Sequence, residues 1–270
     1  MGTETASPAP TDHAATTSFV AVAAAISRRG LVRMVRLPSL IFPAIIMPVF
    51  FVVAFSGSFA AAVQIEGYGT DKAVNWMTAW AVLQGGAFAG VGSAGAAATD
   101  LENGFFDRIR LAPVNPLAIV VGLLGYSMTR ALVPVTAVLV VAFVFLDADM
   151  PGGLAGLAMV YVGALGMALV IALLAMTVVF TLKTIQSLAL VQILTFSLMF
   201  LSIGQAPLEA IEGWLHAVAT VNPVTAVIEL TRQGFLGEVT WAATWPGLSA
   251  LAVMSAVFGA LALWRYRTIT

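Results

Sequence analysis

Six apolar stretches that approach or exceed the roughly 20 residues needed to cross the hydrocarbon core of a bilayer constrain this chain more than any other feature. They fall near Leu40 to Ala62, Met77 to Ala98, Leu117 to Leu146, Leu154 to Phe180, Thr184 to Gly204 and Trp245 to Trp264. The third and fourth are longer than a span requires and are expected to tilt or project beyond the membrane. Because the runs are unbroken, and do not alternate in short segments, they read as helices and not as barrel strands. Composition agrees: 60% of the 270 residues are hydrophobic and 9% are charged, against about 25% charged in soluble domains. The expected fold class is all-α, a polytopic membrane protein with six transmembrane helices.

Basic residues in the connections set the expected orientation. With both termini cytoplasmic, the inner side holds Arg28, Arg29, Arg33, Arg36, Arg108, Arg110, Lys183, Arg265 and Arg267, nine in all, and the outer side only Lys72 and Arg232. The expected placement is the cell (plasma) membrane, N-in and C-in. The 12 basic and 13 acidic residues nearly cancel, so no cationic field invites nucleic acid. Without cysteine, and with only His13 and His216 far apart, no disulfide framework, thiol chemistry or metal site is expected.

Residues 1–17 are rich in Thr, Ala and Pro and carry too little apolar surface to order on their own, which predicts a disordered tail before a domain over 18–270. No cleaved signal is expected, because the apolar run Phe19 to Ile26 precedes its arginines and does not follow them. From Gly30, helical spacing puts Arg29, Arg33 and Arg36 on one side and Leu31, Met34 and Val35 on the other, an interfacial helix. Val22 and Ile26 fall on the arginine side, which predicts a bend or restart near Gly30. The competing reading is a charged flank of the first span.

The inner connection Thr99 to Pro116 offers Thr99 and Glu102 as a capping box. Beyond it Leu101, Phe105 and Ile109 share one face of a short amphipathic helix, Asn103, Asp107 and Arg110 share another, and Pro113 ends it. Phe105 and Phe106, ringed by charges of both signs, suit a groove in a soluble partner; the alternative is that they dip into the lipid interface. The outer connection Gln205 to Val239 predicts a helical hairpin. Pro207 opens a first helix bearing Leu208, Ile211, Leu215 and Val218, and Asn222 caps a second that begins at Pro223 and runs toward Gly234. The hairpin is expected to lie on or dip into the outer leaflet, with Glu229 and Arg232 able to pair; the alternative is a plain surface loop.

Arg130 lies midway along the third span, where a guanidinium costs at least about 2.5 kcal/mol and is expected to face protein or a water-filled cavity. The string Gly90-Val-Gly-Ser-Ala-Gly95 spells a dinucleotide fingerprint, but it sits within an apolar span with no strand before it. With Gly86 it reads instead as a surface for close helix approach. Neither lysine completes a phosphate loop, so no ATP hydrolysis by this chain is expected.

Three segments resemble one family, the ABC-2 type exporter permeases. Ser27-Arg-Arg-Gly-Leu-Val-Arg-Met-Val-Arg-Leu-Pro38 is similar to that family's entry into its first span, and Asp100 to Pro113 to its acidic-Gly-Asp-Arg-Leu-Pro inner loop. Val221-Asn-Pro-Val-Thr-Ala-Val-Ile-Glu-Leu-Thr-Arg232 is similar to its Asn-Pro segment before the last span. The likeness covers nearly the whole chain after residue 18 and is nearest to daunorubicin-resistance-type permeases. It implies a domain over 18–270 in which Leu31 to Arg36 belong to a cytoplasmic interface helix and Glu102 to Arg110 to a coupling helix. It also implies two separate nucleotide-binding subunits carrying ATP and Mg, a second permease copy forming a homodimer, and no cofactor bound by this chain. The paired Phe105 and Phe106 are more aromatic than the family pattern.

The resulting expectation is a permease subunit, not an enzyme, that exports an amphipathic drug, antibiotic or lipid-like compound. The alternatives are a polysaccharide or glycolipid exporter, an integral lipid-modifying enzyme, and a non-transporting membrane anchor. Asp100, Glu102 and Asp107 are the acids nearest one another at the inner span ends, and they lack the histidine an enzyme of that kind would use.

Overall fold

The computed structural model describes residues 18–65, 67–109, 114–237 and 239–269. The expected tail at 1–17, Arg110 and Pro113 lie outside the described residues, as does the side chain of Asp107. The elements in chain order are α1 (Phe19–Arg36), α2 (Phe42–Ser58), α3 (Ala73–Glu102), α4 (Phe105–Ile109), α5 (Pro116–Phe145), α6 (Gly153–Leu182), α7 (Ser187–Phe200), α8 (Gly213–Val221), α9 (Pro223–Leu236) and α10 (Trp241–Ile269). No strand occurs among the described residues.

Among the described residues three helices, α5, α6 and α10, are both long and apolar enough to cross a membrane. α2 and α7 are apolar but have 17 and 14 residues, about 25 and 21 Å of helix against a hydrocarbon core of about 30 Å. α3 has the length, with 30 residues, but buries Asn75, Thr78, Gln84, Ser93 and Asp100. Its polarity follows from its position. α3 packs against α2, α5, α6, α7 and α9, so protein and not lipid surrounds it.

Small residues make that central position attainable. A Cβ on Gly86 would run into the carbonyl oxygen of Ala164, and one on Gly90 would lie 2.7 Å from that of Ala168. The Gly-rich string therefore sits inside α3 and brings its backbone against α6. A second close approach joins α6 to α9, where a Cβ on Gly234 would strike the backbone of Gly156 and the Gly152 N–H donates to the Gly234 carbonyl at 3.0 Å.

Several boundaries differ from the sequence reading. α1 is continuous and does not restart at Gly30. A Cβ there would lie 2.6 Å from the Tyr126 ring, so glycine serves the packing of α1 on α5. The side of α1 turned to the bundle holds Ala23 and Ile26, both buried, with Gly30 and half-buried Arg33 in register, while Val35 is exposed. Ile26 and Arg33 of the arginine side therefore face protein, while Arg29 and Arg36 stay exposed. Thr99 caps nothing: it lies within α3 and its hydroxyl donates back to the Gly95 carbonyl at 3.0 Å. The helix then breaks at Gly104, whose φ of +65° ends it, and α4 follows as five residues.

The outer connection is two helices, but the first begins at Gly213 and not at Pro207. Leu208–Ala210 forms only a 3-10 turn and Ile211 is extended, because Leu208 and Ile211 pack back onto the core. α9 does not float on a surface. Its Val227, Ile228, Leu230, Thr231, Arg232 and Phe235 are buried among α3, α6 and α10.

Candidate functional site

At the end of the bundle that carries α4, the last turns of α3 carry Asp100, whose carboxylate grips Arg29 of α1 with both oxygens. Nη2 donates to Oδ1 at 2.8 Å and Nη1 to Oδ2. Arg33 stands 3.9 Å from the same carboxylate, and the Arg29 guanidinium also lies 4.0 Å over the Phe105 ring. Asp100 is buried, so its charge needs these partners. Arg36, on the last turn of α1, is exposed.

Glu102, expected to cap its own helix, instead accepts the Ile185 N–H at 2.8 Å. Ile185 lies in the turn between α6 and α7, which follows Lys183 in the left-handed conformation. Phe106 is 3% exposed and points inward, making edge contacts with Phe180 of α6 and Tyr266 of α10 at centroid distances of 6.2 and 6.0 Å. It anchors α4 to the bundle and does not project as a knob; half-buried Phe105, stacked by Arg29, is the more superficial of the pair. Arg108 is exposed, with its guanidinium on the carbonyls of Asn103 and Gly104. The inner protrusion is thus tied to α1, to the α6–α7 turn, and to α6 and α10. Asp100 was not singled out from the sequence as a pairing residue, since its partner lies 71 positions away.

Arg130 is 4% exposed. It occupies the middle of α5, 14 residues after Pro116 and 15 before Phe145, so about 21 Å of helix lies on either side. Its guanidinium lies against Gly92, where any Cβ would collide with it, and Nη1 meets the Tyr126 hydroxyl at 3.4 Å. Two cavities share Gly92 and Arg130. The larger, of roughly 370 Å³, lies between α2, α3, α5 and α7; the smaller, of roughly 230 Å³, runs toward Arg33, Thr99 and Ile185 at the inner end.

Where α7 ends, the carbonyls of its last turn and of the segment that follows lie against protein and need donors. Asn222 supplies two. Its amide nitrogen donates to Leu198 and Leu201 at 2.7 and 2.8 Å, while its oxygen accepts the Val224 N–H at 3.0 Å and so caps α9 beside Pro223. Arg232 supplies two more, its Nη2 donating to Ile203 at 3.1 Å and Gly204 at 2.9 Å. Its Nε reaches the Trp76 carbonyl at 3.3 Å, and the guanidinium stacks 3.6 Å over the Trp76 ring. No ion pair joins Glu229 to Arg232 among the described residues; the carbonyls compete more closely for the guanidinium.

On the neighbouring outer loops, Lys72 donates to the Asp147 carboxylate at 2.8 Å and reaches Asp149 at 2.9 Å, and Asn75 accepts the Asp149 N–H at 2.9 Å. These bonds hold the α5–α6 turn against the start of α3. They raise the Lys72 pKa above its ordinary value, Asp147 more than Asp149, and lower that of Asp147, chiefly through the hydrogen bond from Lys72.

This arrangement defines a membrane-embedded helical protein with a polar segment tied to one end of its bundle and a buried arginine at the middle of α5. The chain belongs to the ABC-2 type transporter family, whose model matches residues 22–236. No curated protein matches the chain. Membership makes it a transporter permease domain, and the family implies an ABC nucleotide-binding subunit as partner.

Proposed function

We propose that this chain is the membrane-spanning subunit of an ATP-driven exporter in the cell membrane, moving an amphipathic drug, antibiotic or lipid-like compound outward. In this reading α2, α3, α5, α6, α7 and α10 are the six spans, both termini are cytoplasmic, and α8 with α9 forms an outer re-entrant hairpin. Two permease copies work with two nucleotide-binding subunits that carry ATP and Mg.

The observation that carries the reading is the inner protrusion. Asp100, Glu102 and Phe106 fasten one short stretch of chain to α1, to the α6–α7 turn and to α10. A push delivered there by a closing partner would reach several helices at once, since packed elements transmit force as units. Thr99, Glu102, Phe105, Asp107, Arg108 and Arg110 form the contact region, flanked by Arg29, Arg33 and Arg36. The apolar cavity beside Arg130 supports a substrate with a hydrophobic body.

The test is co-expression with an ABC nucleotide-binding subunit, followed by affinity capture and transport into inverted vesicles. ATP-dependent uptake of amphipathic dyes is expected, and cysteine labelling at position 108 should require access to the cytoplasmic side. Labelling from outside intact cells would sink the orientation and with it the coupling role.

A further inference from the structure

We propose that the cavity beside α9 and the start of α10 binds the head group of a membrane phospholipid that carries a primary ammonium, a phosphoethanolamine head. The inference goes beyond the export reading and requires only that α10 crosses the bilayer.

The cavity, of roughly 460 Å³, has apolar walls from Ile203, Pro207, Leu208 and Leu236 and carries two exposed carboxylates, Glu209 and Glu229. The two stand close enough to repel each other. Among the described residues neither has a hydrogen bond or a salt bridge. Arg232 also lines the cavity, but its Nε and Nη2 are spent on the carbonyls of Trp76, Ile203 and Gly204. Two carboxylates against one guanidinium leave the described lining net acidic, and a cation between Glu209 and Glu229 would relieve their repulsion.

A second observation calls for oxygen. Trp76 and Arg232 both line the cavity and are 4% and 2% exposed, yet the Trp76 Nε1 and the Arg232 Nη1 have no hydrogen-bond partner among the described residues. Both atoms can only donate. Gln233 offers them nothing, because its amide is spent on Leu230, Thr244 and Thr240. A simple cation would leave these donors stranded, and a simple oxyanion would face the carboxylates. A zwitterion satisfies both, with its phosphate toward Trp76 and Arg232 and its ammonium toward Glu209 and Glu229. A primary ammonium has three N–H donors for two carboxylates, whereas a trimethylated head has none.

The depth fits a head group. Exposed Trp241 and Trp245 flank Ala243, a lining residue, on the first turns of α10, and exposed Trp264 stands near the other end of that helix. Nineteen residues on from Trp245 to Trp264 make about 28 Å of helix, close to the hydrocarbon thickness of about 30 Å. Tryptophans gather at the two membrane–water interfaces, which puts Ala243 and the cavity beside it at the level of the head groups.

The experiment titrates the full chain in dodecyl maltoside with dioleoylphosphatidylethanolamine and counts bound lipid by native mass spectrometry. Phosphatidylcholine and phosphatidylglycerol with the same acyl chains are the controls. Phosphatidylethanolamine is expected to bind about tenfold tighter than either, the scale of a hydrogen bond to a charged group. Glu209→Gln with Glu229→Gln should bring it down to the phosphatidylcholine value. Trp76→Phe, which keeps a ring beneath Arg232, should weaken both lipids severalfold by removing a phosphate donor. Equal affinities in the unmodified chain, a preference surviving the double substitution, or unchanged affinities in Trp76→Phe overturn the proposal.

Should the double variant fail to fold, the unmodified chain decides. Its affinity should fall stepwise from phosphatidylethanolamine through the N-methyl and N,N-dimethyl lipids to phosphatidylcholine, and a flat series overturns the proposal. Glycerophosphoethanolamine, the same head without acyl chains, should compete only weakly; competition at equal affinity would assign the cavity to a soluble zwitterion and overturn the lipid assignment. The measurement needs neither ATP nor a partner, so its result is independent of transport.

Discussion

Asp100 and Arg29 join the central helix of the bundle to the amphipathic helix at its inner edge by a two-pronged ion pair, with Nη2 and Oδ1 at 2.8 Å. The Asp100 side chain is 8% exposed and that of Arg29 is 46% exposed. Half of the pair is therefore screened by solvent, and its net contribution to stability is about 1 kcal/mol, well below that of a fully buried pair. Its larger consequence is positional. Asp100→Asn is expected to loosen α1 while leaving the bundle folded, seen as faster amide exchange over Phe19–Arg36 with little change in melting temperature; unchanged exchange there would show that packing on Tyr126 alone holds the helix.

Phe106 fills the space between Phe180 and Tyr266, whose own rings lie 5.4 Å apart. Phe106→Ala should cost about 3 kcal/mol or more through lost burial and the cavity left behind. Phe105→Ala, at a half-buried site, should cost less than half as much. Unfolding of the two variants in a mild detergent compares them, and equal losses would contradict the inward placement of Phe106.

Asn222 terminates one helix and starts another with the same side chain. Asn222→Ala removes the cap and leaves two part-buried carbonyls without their amide donor, a loss of about 1–3 kcal/mol. Asn222→Asp keeps the cap but aims a carboxylate at the carbonyls of Leu198 and Leu201, so it should be no better than alanine. A fully stable aspartate variant, judged by thermal unfolding, would mean that the α7 end finds other donors.

The Lys72–Asp147 tie gives a pH window. Asp147 has a lowered pKa in the folded chain, so its contribution is present above the unfolded value, about 3.9, and is lost as pH falls through the folded one. The Lys72 pKa is raised, so its contribution is complete below about 10.4 and is lost only as pH rises through the higher folded value. The tie should hold across neutral pH and open in strong acid, followed as faster exchange at residues 146–152. Lys72→Met should produce that faster exchange at pH 7.

Gln84 lies fully buried on α3, and neither end of its amide has a hydrogen-bond partner. Removing such a group by a similarly shaped apolar side chain is neutral or stabilising. Gln84→Met should leave the melting temperature unchanged or raise it by a few degrees; a marked fall would show that the amide is satisfied in the folded protein.

What could be read from residue order was whatever depends on neighbours along the chain. Long apolar runs, arginines crowded on one side and an Asn-Pro helix start are local patterns, and each has a direct physical meaning in a bilayer. The helical class, three helices long and apolar enough to cross a membrane, the Asn222 cap and the close-packing role of Gly86 and Gly90 followed from them. Tertiary structure decided the rest, because those outcomes depend on groups distant in sequence. Glu102 abandoned its own helix for Ile185, 83 positions on; Phe106 turned inward because Phe180 and Tyr266 offered more burial than the surface did. α3 could be polar because five helices enclose it. Arg232 left Glu229 for carbonyls exposed where α7 ends early. A charge or an aromatic ring settles where desolvation costs least and partners are nearest, and no linear pattern contains that distance.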